Sequence, residues 1–252
     1  MFPEIDAVLF DLGGTLVDYP TPSWPVVVGR CLEGAYAYLV RPEHEQPPRV
    51  AEVPDPWEAG ALRGRPAPDT PPAHRVMLAL RRVIRSLSGR TLPRMAEACA
   101  RPLLAASRLY DDAMPAILAL EKRGYRMGLV SNTPWGTPEY LWESQVKRFL
   151  LEPHFPVRCF SSVVGFRKPD PRIFRAAVAQ TGVPAARTLF VGNDPEADIA
   201  GAAAAGMRTA FIRRQGSPAP REAPPADLTV EVLTELLDHL PGPVLHQSRG
   251  RS

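Results

Sequence analysis

Polar side chains that could act together in catalysis follow four separate apolar segments of this 252-residue chain. They are Asp11, Ser131, Lys168 and the group Asn193, Asp194 and Asp198. A carboxylate accompanied by a hydroxyl, an ammonium and further acids suits nucleophilic attack on an electrophile that carries negative charge. Asp11 would form the covalent intermediate, and Mg²⁺ bound by Asp11 and the acidic group would screen the repulsion between anions. Ser131 would hydrogen-bond the anion, and Lys168 would neutralise its charge.

Asp11 is the one carboxylate within an apolar run. Five of the six residues in Ala7–Leu12 are apolar, which is typical of a strand buried on both faces. Because an unpaired buried acid is costly, Asp11 suits the carboxyl end of a central strand, where α/β sheets bind ligands. The alternative is that Asp11 forms a turn with Gly13 and Gly14. The other motifs favour the first interpretation.

From Asp111 onward, short apolar segments alternate with helical patterns. Strands are predicted at 125–130, 159–164, 188–191 and 208–212. Helices are predicted at 138–150, at 171–181, through Ile199, Ala202 and Ala203 as far as Gly206, and at 230–240. Asp170 is the expected N-cap of the second of these helices, with Pro171 at its first position and Gly182 after its end. This alternation predicts an α/β fold with a doubly wound parallel sheet and right-handed crossovers. The carboxyl ends of the strands, and therefore the four polar groups, should gather at one edge.

The segment between the first strand and Asp111 has a different character. Helical spacing is predicted at 24–40, 72–88 and 93–107, and a Pro-rich irregular loop separates the first two. The predicted division is a core of residues 1–17 and 108–240, an inserted helical region at 18–107 with its Pro-rich loop at about 42–72, and a flexible tail at 241–252.

Composition excludes several classes of protein. The net charge is +3, and no basic tract is interleaved with aromatic residues, so a nucleic-acid partner is not expected. No apolar run approaches the ~20 residues of a membrane span, and no secretory signal precedes the first strand. The three cysteines lack metal-ligand spacing and are expected to be free thiols in a cytoplasmic protein. The sequence carries no signal of oligomeric state.

Four motifs in this order resemble the haloacid dehalogenase-like hydrolases. They are Phe10-Asp11-Leu12-Gly13-Gly14-Thr15-Leu16, Leu129-Val130-Ser131-Asn132, Arg167-Lys168-Pro169-Asp170-Pro171 and Val191-Gly192-Asn193-Asp194-Pro195-Glu196-Ala197-Asp198. The resemblance covers the chain apart from the Pro-rich loop and the tail. It implies a Rossmann-like core, a mainly α-helical cap inserted after the first strand, and a Mg²⁺-dependent phosphatase. The substrate would be a small phosphorylated metabolite.

Carried onto this sequence, the resemblance implies three sets of site residues. The catalytic residues would be Asp11 and Lys168. The phosphate-binding residues would be Ser131, Asn132, Thr15 and Lys168. The metal ligands would be Asp11, Gly13 through its carbonyl, Asn193, Asp194 and Asp198.

Two positions depart from the family pattern. Gly13 stands where the phosphatases usually have a second Asp that protonates the leaving group, a contribution of ~10²–10⁴ in rate. Activity is therefore expected to be weak on poor leaving groups and better on good ones, unless the cap supplies an acid. Asn193 stands where an Asp is expected, so Mg²⁺ affinity should fall unless Asp194 or Asp198 substitutes.

Structural roles remain open for several of these residues. Asp194 could be a helix N-cap, Lys168 a surface lysine, Ser131 with Asn132 a turn, and Asp198 an exposed helix residue. Two other functions also remain open: a metal-independent 2-haloacid dehalogenase, and a non-catalytic protein that binds phosphorylated ligands. Turnover of 2-chloropropionate without metal would indicate the first, and phosphate binding without turnover would indicate the second.

Overall fold

The computed structural model describes residues 4–19, 91–133, 137–214 and 225–242. The predicted helices at 24–40 and 72–88, the Pro-rich loop and most of the tail lie outside these residues. The described strands are β1 (Ala7–Phe10), β2 (Val17–Asp18), β3 (Arg108–Leu109), β4 (Arg126–Ser131), β5 (Val157–Phe160), β6 (Thr188–Gly192), β7 (Arg208–Ile212) and β8 (Leu228–Val230).

The described helices all follow the first pair of strands. They are α1 (Thr91–Ala106), α2 (Ala113–Lys122), α3 (Glu139–Arg148), α4 (Ser161–Val164), α5 (Pro171–Thr181), α6 (Gly201–Ala204) and α7 (Leu236–His239). Short 3₁₀ turns occur at Ala185–Arg187 and Leu233–Glu235, and a π-helical turn occupies Pro195–Ala200. Helix α5 has the predicted ends, because the Asp170 side chain accepts from Arg172 N, and Gly182 adopts a φ of 67°.

The main sheet has six strands in the order β5-β4-β1-β6-β7-β8, and every neighbouring pair is parallel. The α/β fold with a doubly wound parallel sheet is confirmed. The chain places β4 on one side of β1 and β6 on the other, so the strand order reverses beside β1. In open α/β sheets, ligands bind outside the carboxyl ends of the strands at such a reversal.

Apolar packing holds β1 at the centre of the sheet. All four of its residues are fully buried, as expected for a strand covered on both faces. On one face, Phe174 of α5 packs edge-to-face on Phe190 of β6, with ring centroids 5.0 Å apart. Gly128 of β4 lets the neighbouring strands approach, since a Cβ there would lie 2.8 Å from Leu9 Cδ2.

One sequence prediction is wrong in its type of element, and another is wrong in where its element begins. The strand predicted at 159–164 ends at Phe160, and residues 161–164 form the helical turn α4, which Gly165 ends with a φ of 80°. Its valines match a strand by composition, but Val163 is 57% exposed rather than packed in the sheet. The helix predicted at 230–240 begins later than expected, because Val230 ends strand β8, and the helical residues are the 3₁₀ turn Leu233–Glu235 and α7.

The chain divides into two compact units. The first comprises Met1–Tyr19, Ser107–Pro134 and Glu139–Ser252, and the second comprises Pro20–Ala106 and Trp135–Pro138. In the first unit, β2 and β3 pair as a short antiparallel ribbon, with Val17 opposite Leu109. In the second unit, the described residues are helix α1, which corresponds to the helix predicted at 93–107, and residues 137–138. No helix among the described residues has the length and apolar character to cross a bilayer.

Candidate active site

Asp11 lies directly after β1 at the carboxyl edge of the sheet. Its backbone N–H donates to Val191 O at 2.9 Å, which fixes the residue beside the end of β6. Its side chain is only 8% exposed. Lys168 Nζ donates to Asp11 Oδ1 at 2.5 Å, and Thr15 Oγ1 lies 3.3 Å from Oδ2. The predicted acid is therefore buried and paired with a cation.

Lys168 joins two carboxylates from different loops. Its Nζ lies 2.5 Å from Asp11 Oδ1 and 2.6 Å from Asp198 Oδ1, the second contact being an ion pair without hydrogen-bond geometry. Burial acts to lower the pKa of Lys168, but Asp11 and Asp198 outweigh burial and raise it. The ammonium is also 5.5 Å from the centre of the Phe190 ring. Lys168 is therefore a buried cation and not a surface lysine.

Asn132 fixes the backbone of Lys168. Its Oδ1 accepts from Lys168 N at 2.9 Å, and its Nδ2 donates to Lys168 O at 3.1 Å. Asn132 follows directly after Ser131, the last residue of β4, whose side chain is buried. The amide therefore links the end of β4 to the loop that carries the ammonium.

Asp198 is buried beneath the loop that follows β6. Its Oδ2 accepts from the backbone N–H groups of Asn193 and Asp194, both at 3.0 Å. Burial raises the pKa of Asp198 above its ordinary value, although Lys168 acts in the opposite direction. Gly192 makes room for this carboxylate, since a Cβ there would lie 2.4 Å from Asp198 Oδ2. Asp198 is thus a buried member of the site rather than an exposed helix residue.

Asn193 faces the loop after β1. Its Oδ1 lies 3.3 Å from Thr15 Oγ1, so the single hydroxyl proton of Thr15 is shared between Asn193 and Asp11. The Asn193 amide packs against Gly14, where a Cβ would lie 2.5 Å from Nδ2. Gly14 also has a φ of 84°, a conformation that favours glycine. The two loops are therefore in contact at Gly14 and Thr15.

Asp194 points its side chain into its own turn. Its Oδ1 accepts from Glu196 N at 2.9 Å and from Ala197 N at 2.8 Å, and Pro195 begins the π-helical turn. These bonds are those of a helix N-cap. Asp194 Oδ1 therefore acts as a helix N-cap, which is the structural role that the sequence left open for this residue.

The oxygen atoms near Asp11 are hard donors of the kind that Mg²⁺ prefers. Asp11 Oδ2 and Asn193 Oδ1 both lie 3.3 Å from Thr15 Oγ1, and Gly13 contributes a backbone carbonyl in the same loop. No cluster of three or more His, Cys, Asp or Glu side chains suited to a metal is present in the described part of the chain. The oxygen atoms of Asp11, Gly13 and Asn193 are the donors in these loops whose chemistry suits such a cation.

Two side chains near the site were not singled out by the sequence motifs. Arg214 follows β7, donates to Thr15 O at 2.6 Å and to Asp112 Oδ2 at 2.7 Å, and lies over the Tyr110 ring. The two arginines that follow the predicted strand 208–212, of which Arg214 is the second, were the available signal for it. Tyr19 packs beside Gly13, and no local sequence pattern predicts this contact.

Comparison with known proteins places these features in a family. The chain is 36% identical over 128 residues to phosphoserine phosphatase of Thermus thermophilus, a match that covers 51% of this chain and 49% of that protein. It is 30% identical over 250 residues to N-acetylmuramic acid 6-phosphate phosphatase of Pseudomonas aeruginosa, covering 94% of this chain and 95% of that one.

A solved structure of similar fold is that of 2-haloacid dehalogenase from Pseudomonas syringae pv. Tomato DC3000. It superposes with a TM-score of 0.61 at 24% identity and covers 93% of this chain and 97% of that one. The family model described as haloacid dehalogenase-like hydrolase matches residues 5–206. This match covers most of the chain, including the four loops that carry Asp11, Asn132, Lys168 and Asn193, so the protein belongs to the haloacid dehalogenase-like hydrolase family.

Proposed function

We propose that this protein is a Mg²⁺-dependent phosphomonoester hydrolase that acts on a small phosphorylated metabolite through an aspartyl-phosphate on Asp11. The observation that carries the proposal is the buried Lys168 ammonium, which contacts both Asp11 and Asp198. A cation at this position offsets the charge of an incoming dianion beside the nucleophile. The phosphatase names of the two relatives above support the substrate class.

The proposed reaction has two displacements at phosphorus. First, a carboxylate oxygen of Asp11 attacks, and the ester P–O bond breaks with its electron pair on the departing oxygen. Then water attacks the aspartyl-phosphate, and the Asp11 carboxylate is released. Over both steps one water supplies the hydrogen of the alcohol and the hydroxyl of inorganic phosphate. Lys168 stays protonated throughout, and Ser131 would hydrogen-bond a phosphate oxygen from the end of β4.

Asp11, the Gly13 carbonyl and Asn193 are the residues that would hold Mg²⁺. When bound, Mg²⁺ reduces the repulsion between the carboxylate and the phosphate oxygens. The Asp198 carboxylate, through its bonds to Asn193 N and Asp194 N, would hold the loop that presents the Asn193 amide. One carboxylate ligand in this set predicts weak Mg²⁺ binding.

A metal-independent 2-haloacid dehalogenase is the second candidate, because Asn193 offers a neutral amide near Asp11 in place of a second charged ligand. In that reaction an Asp11 oxygen would attack C2 of the haloacid and displace halide. Water would then hydrolyse the resulting ester at the Asp11 carbonyl carbon, releasing a 2-hydroxy acid. The two candidates therefore differ in their electrophilic atom and in their need for metal.

The test is a panel of aryl phosphates, alkyl phosphates and 2-chloropropionate, assayed with Mg²⁺ and with EDTA. Phosphate release that requires Mg²⁺ is expected from the wild type, and Asp11→Asn should lower it by about three orders of magnitude or more. Acid-quenched wild-type protein should carry a phosphoryl group on the Asp11 peptide by mass spectrometry.

Asp6→Asn is the matched control, because Asp6 precedes the amino end of β1 and pairs with Arg187. It should retain wild-type turnover. An Asp11→Asn protein that equals the wild type on every active substrate would refute the nucleophile assignment. Halide release in EDTA would select the dehalogenase, and binding of phosphate without turnover would select the non-catalytic alternative.

A further inference from the structure

Tyr19 lies against the backbone of Gly13, two residues after the proposed nucleophile. A Cβ at Gly13 would lie 3.0 Å from Tyr19 Cε2 and 3.5 Å from Cδ2. Cε2 is the ring carbon next to the one that carries the hydroxyl, so the hydroxyl side of the ring is the side closer to Gly13. The tyrosine ring therefore occupies space next to the position where the family pattern has a second acid.

The Tyr19 hydroxyl is buried, and the described residues offer it no hydrogen bond. Its Oη has no hydrogen-bond partner among the described residues and is shielded from solvent. Leaving a buried hydroxyl unpaired costs free energy, so such a group calls for a specific explanation. A ligand oxygen that arrives with the substrate would supply the partner.

Its surroundings keep the phenol protonated and its ring in place. Burial, followed by the charge of Asp11, raises the pKa of Tyr19 above its ordinary value, and Arg148 opposes this shift. The Tyr19 ring meets the Trp142 ring edge-to-face, with centroids 6.5 Å apart. At neutral pH the hydroxyl is therefore protonated and can donate a hydrogen bond.

We infer that Tyr19 is a substrate-binding residue on the leaving-group side of Asp11, where its hydroxyl donates to the oxygen that bridges phosphorus and carbon. This inference rests on the proposed function and deepens it. It assigns a donor to the side of the site where Gly13 has no side chain. It also assigns a substrate preference, for esters whose bridging oxygen can accept a hydrogen bond while the phosphate lies at Lys168.

The chemical role is hydrogen bonding and not proton transfer. As the ester P–O bond breaks, its electron pair remains on the bridging oxygen, and the O–H···O bond from Tyr19 strengthens as that charge grows. Tyr19 retains its proton, and the departing oxygen takes a proton from water. The contribution of Tyr19 must therefore increase with the basicity of the leaving group.

Tyr19→Phe tests this dependence because it removes only the hydroxyl and keeps the ring beside Trp142. The kcat/KM for ethyl phosphate should fall by about 10- to 100-fold, the usual cost of losing a hydrogen bond to a charged group. The kcat/KM for p-nitrophenyl phosphate, whose leaving group carries little charge on its oxygen, should stay within about threefold of wild type. Equal changes for the two substrates would overturn the inference.

Tyr125→Phe is the matched control for loss of a phenol. Its hydroxyl accepts from Gly242 N at 3.0 Å, and the residue directly precedes the amino end of β4. It should change kcat/KM equally little for both substrates. A selective loss for ethyl phosphate in this variant would show that the effect does not depend on Tyr19, and would also overturn the inference.

A binding measurement separates this inference from the proposed function. In the Asp11→Asn background, which cannot form the aspartyl-phosphate, calorimetry compares ethyl phosphate with inorganic phosphate. Adding Tyr19→Phe should weaken the binding of ethyl phosphate by about three- to tenfold and leave the affinity for inorganic phosphate unchanged. If the wild type hydrolysed no ester but Tyr19→Phe selectively weakened the binding of ethyl phosphate, the proposed hydrolase would be refuted and the Tyr19 contact would stand. The contact would be overturned if Tyr19→Phe left the affinity for ethyl phosphate unchanged, or if the Asp11→Asn protein did not bind ethyl phosphate at all.

Discussion

The two ends of strand β1 each carry an aspartate paired with a basic residue, and the two pairs lie in different surroundings. Before the strand, Asp6 Oδ2 meets Arg187 at 2.6 Å, and both side chains are more than a fifth exposed. After the strand, Asp11 meets Lys168 at 2.5 Å, and both are less than a tenth exposed. Each pair joins an aspartate to a basic side chain at nearly the same distance, and the clearest difference between them is burial.

This difference shows why the carboxyl edge is the candidate site. An exposed ion pair costs little to form and contributes little, whereas a buried pair must overcome a large desolvation penalty. The carboxyl edge buries Lys168 together with the carboxylates of Asp11 and Asp198. Two backbone N–H groups donate to Asp198, and the Thr15 hydroxyl donates to Asp11. Stability alone does not favour this arrangement over apolar packing, which agrees with the proposal that this edge binds an anion.

The largest expected effect comes from Lys168→Met, which removes the cation and leaves two buried acids together. Breaking a buried pair in this way typically costs about 3–5 kcal/mol of unfolding free energy. The kcat/KM for an aryl phosphate should fall by about 10³-fold, because the charge of the bound phosphate is no longer offset. Denaturant unfolding and steady-state kinetics measure the two effects. If Lys168→Met kept nearly the wild-type kcat/KM, the carboxyl edge of the sheet would not differ from the amino edge in function.

An intermediate effect is expected from Asn193→Asp, which adds a charge at the carboxyl edge. A second carboxylate near the proposed cation should tighten Mg²⁺ binding by about tenfold or more. Without Mg²⁺ the variant should unfold at a lower temperature than wild type, since the new charge repels Asp11. Added Mg²⁺ should raise its Tm more than that of the wild type.

Gln180→Glu makes the same amide-to-acid change near the end of α5, where the Gln180 side chain contacts Cys159. Its Tm should respond to Mg²⁺ as the wild-type Tm does. If Asn193→Asp also responded like wild type, Asn193 would not be a metal ligand.

The smallest effect is expected from Arg187→Met at the amino edge. Removing one member of a partly exposed pair should lower the unfolding free energy by less than about 1 kcal/mol. The kcat/KM should be unchanged, because Arg187 lies at the opposite end of the strand from Asp11. Chemical denaturation of this variant beside Lys168→Met gives the comparison directly, and a large kinetic loss would mean that the two edges are coupled.

Apolar runs and ordered motifs were sufficient to predict five of the six strands of the main sheet and to place Asp11 at its carboxyl edge. They predicted that Lys168 would join Asp11, since parallel strands bring their carboxyl ends together. They did not predict β8, whose three residues are too few to show a period. They also misassigned residues 161–164, because composition does not distinguish a strand from a helical turn in so short a segment.

The contacts made by individual side chains were less predictable than the strands. The N-cap bonds of Asp194 were foreseen only as one of two alternatives, because Asp before Pro suits both a cap and a ligand. Tyr19 lies beside Gly13 because the chain folds back after the β1 loop, and no spacing in the sequence encodes that contact. The roles of Ser131 and of the Gly13 carbonyl stay predictions.

Gly192 sets a requirement for any attempt to graft this site onto another parallel sheet. A methyl group on residue 192 would lie only 2.4 Å from the carboxylate of Asp198, which is too close for both groups to fit. Copying only the residues with reactive atoms would therefore produce a strand end that pushes the second acid away from the ammonium. A minimal transplantable motif includes a residue without a side chain, chosen for the space that it leaves empty.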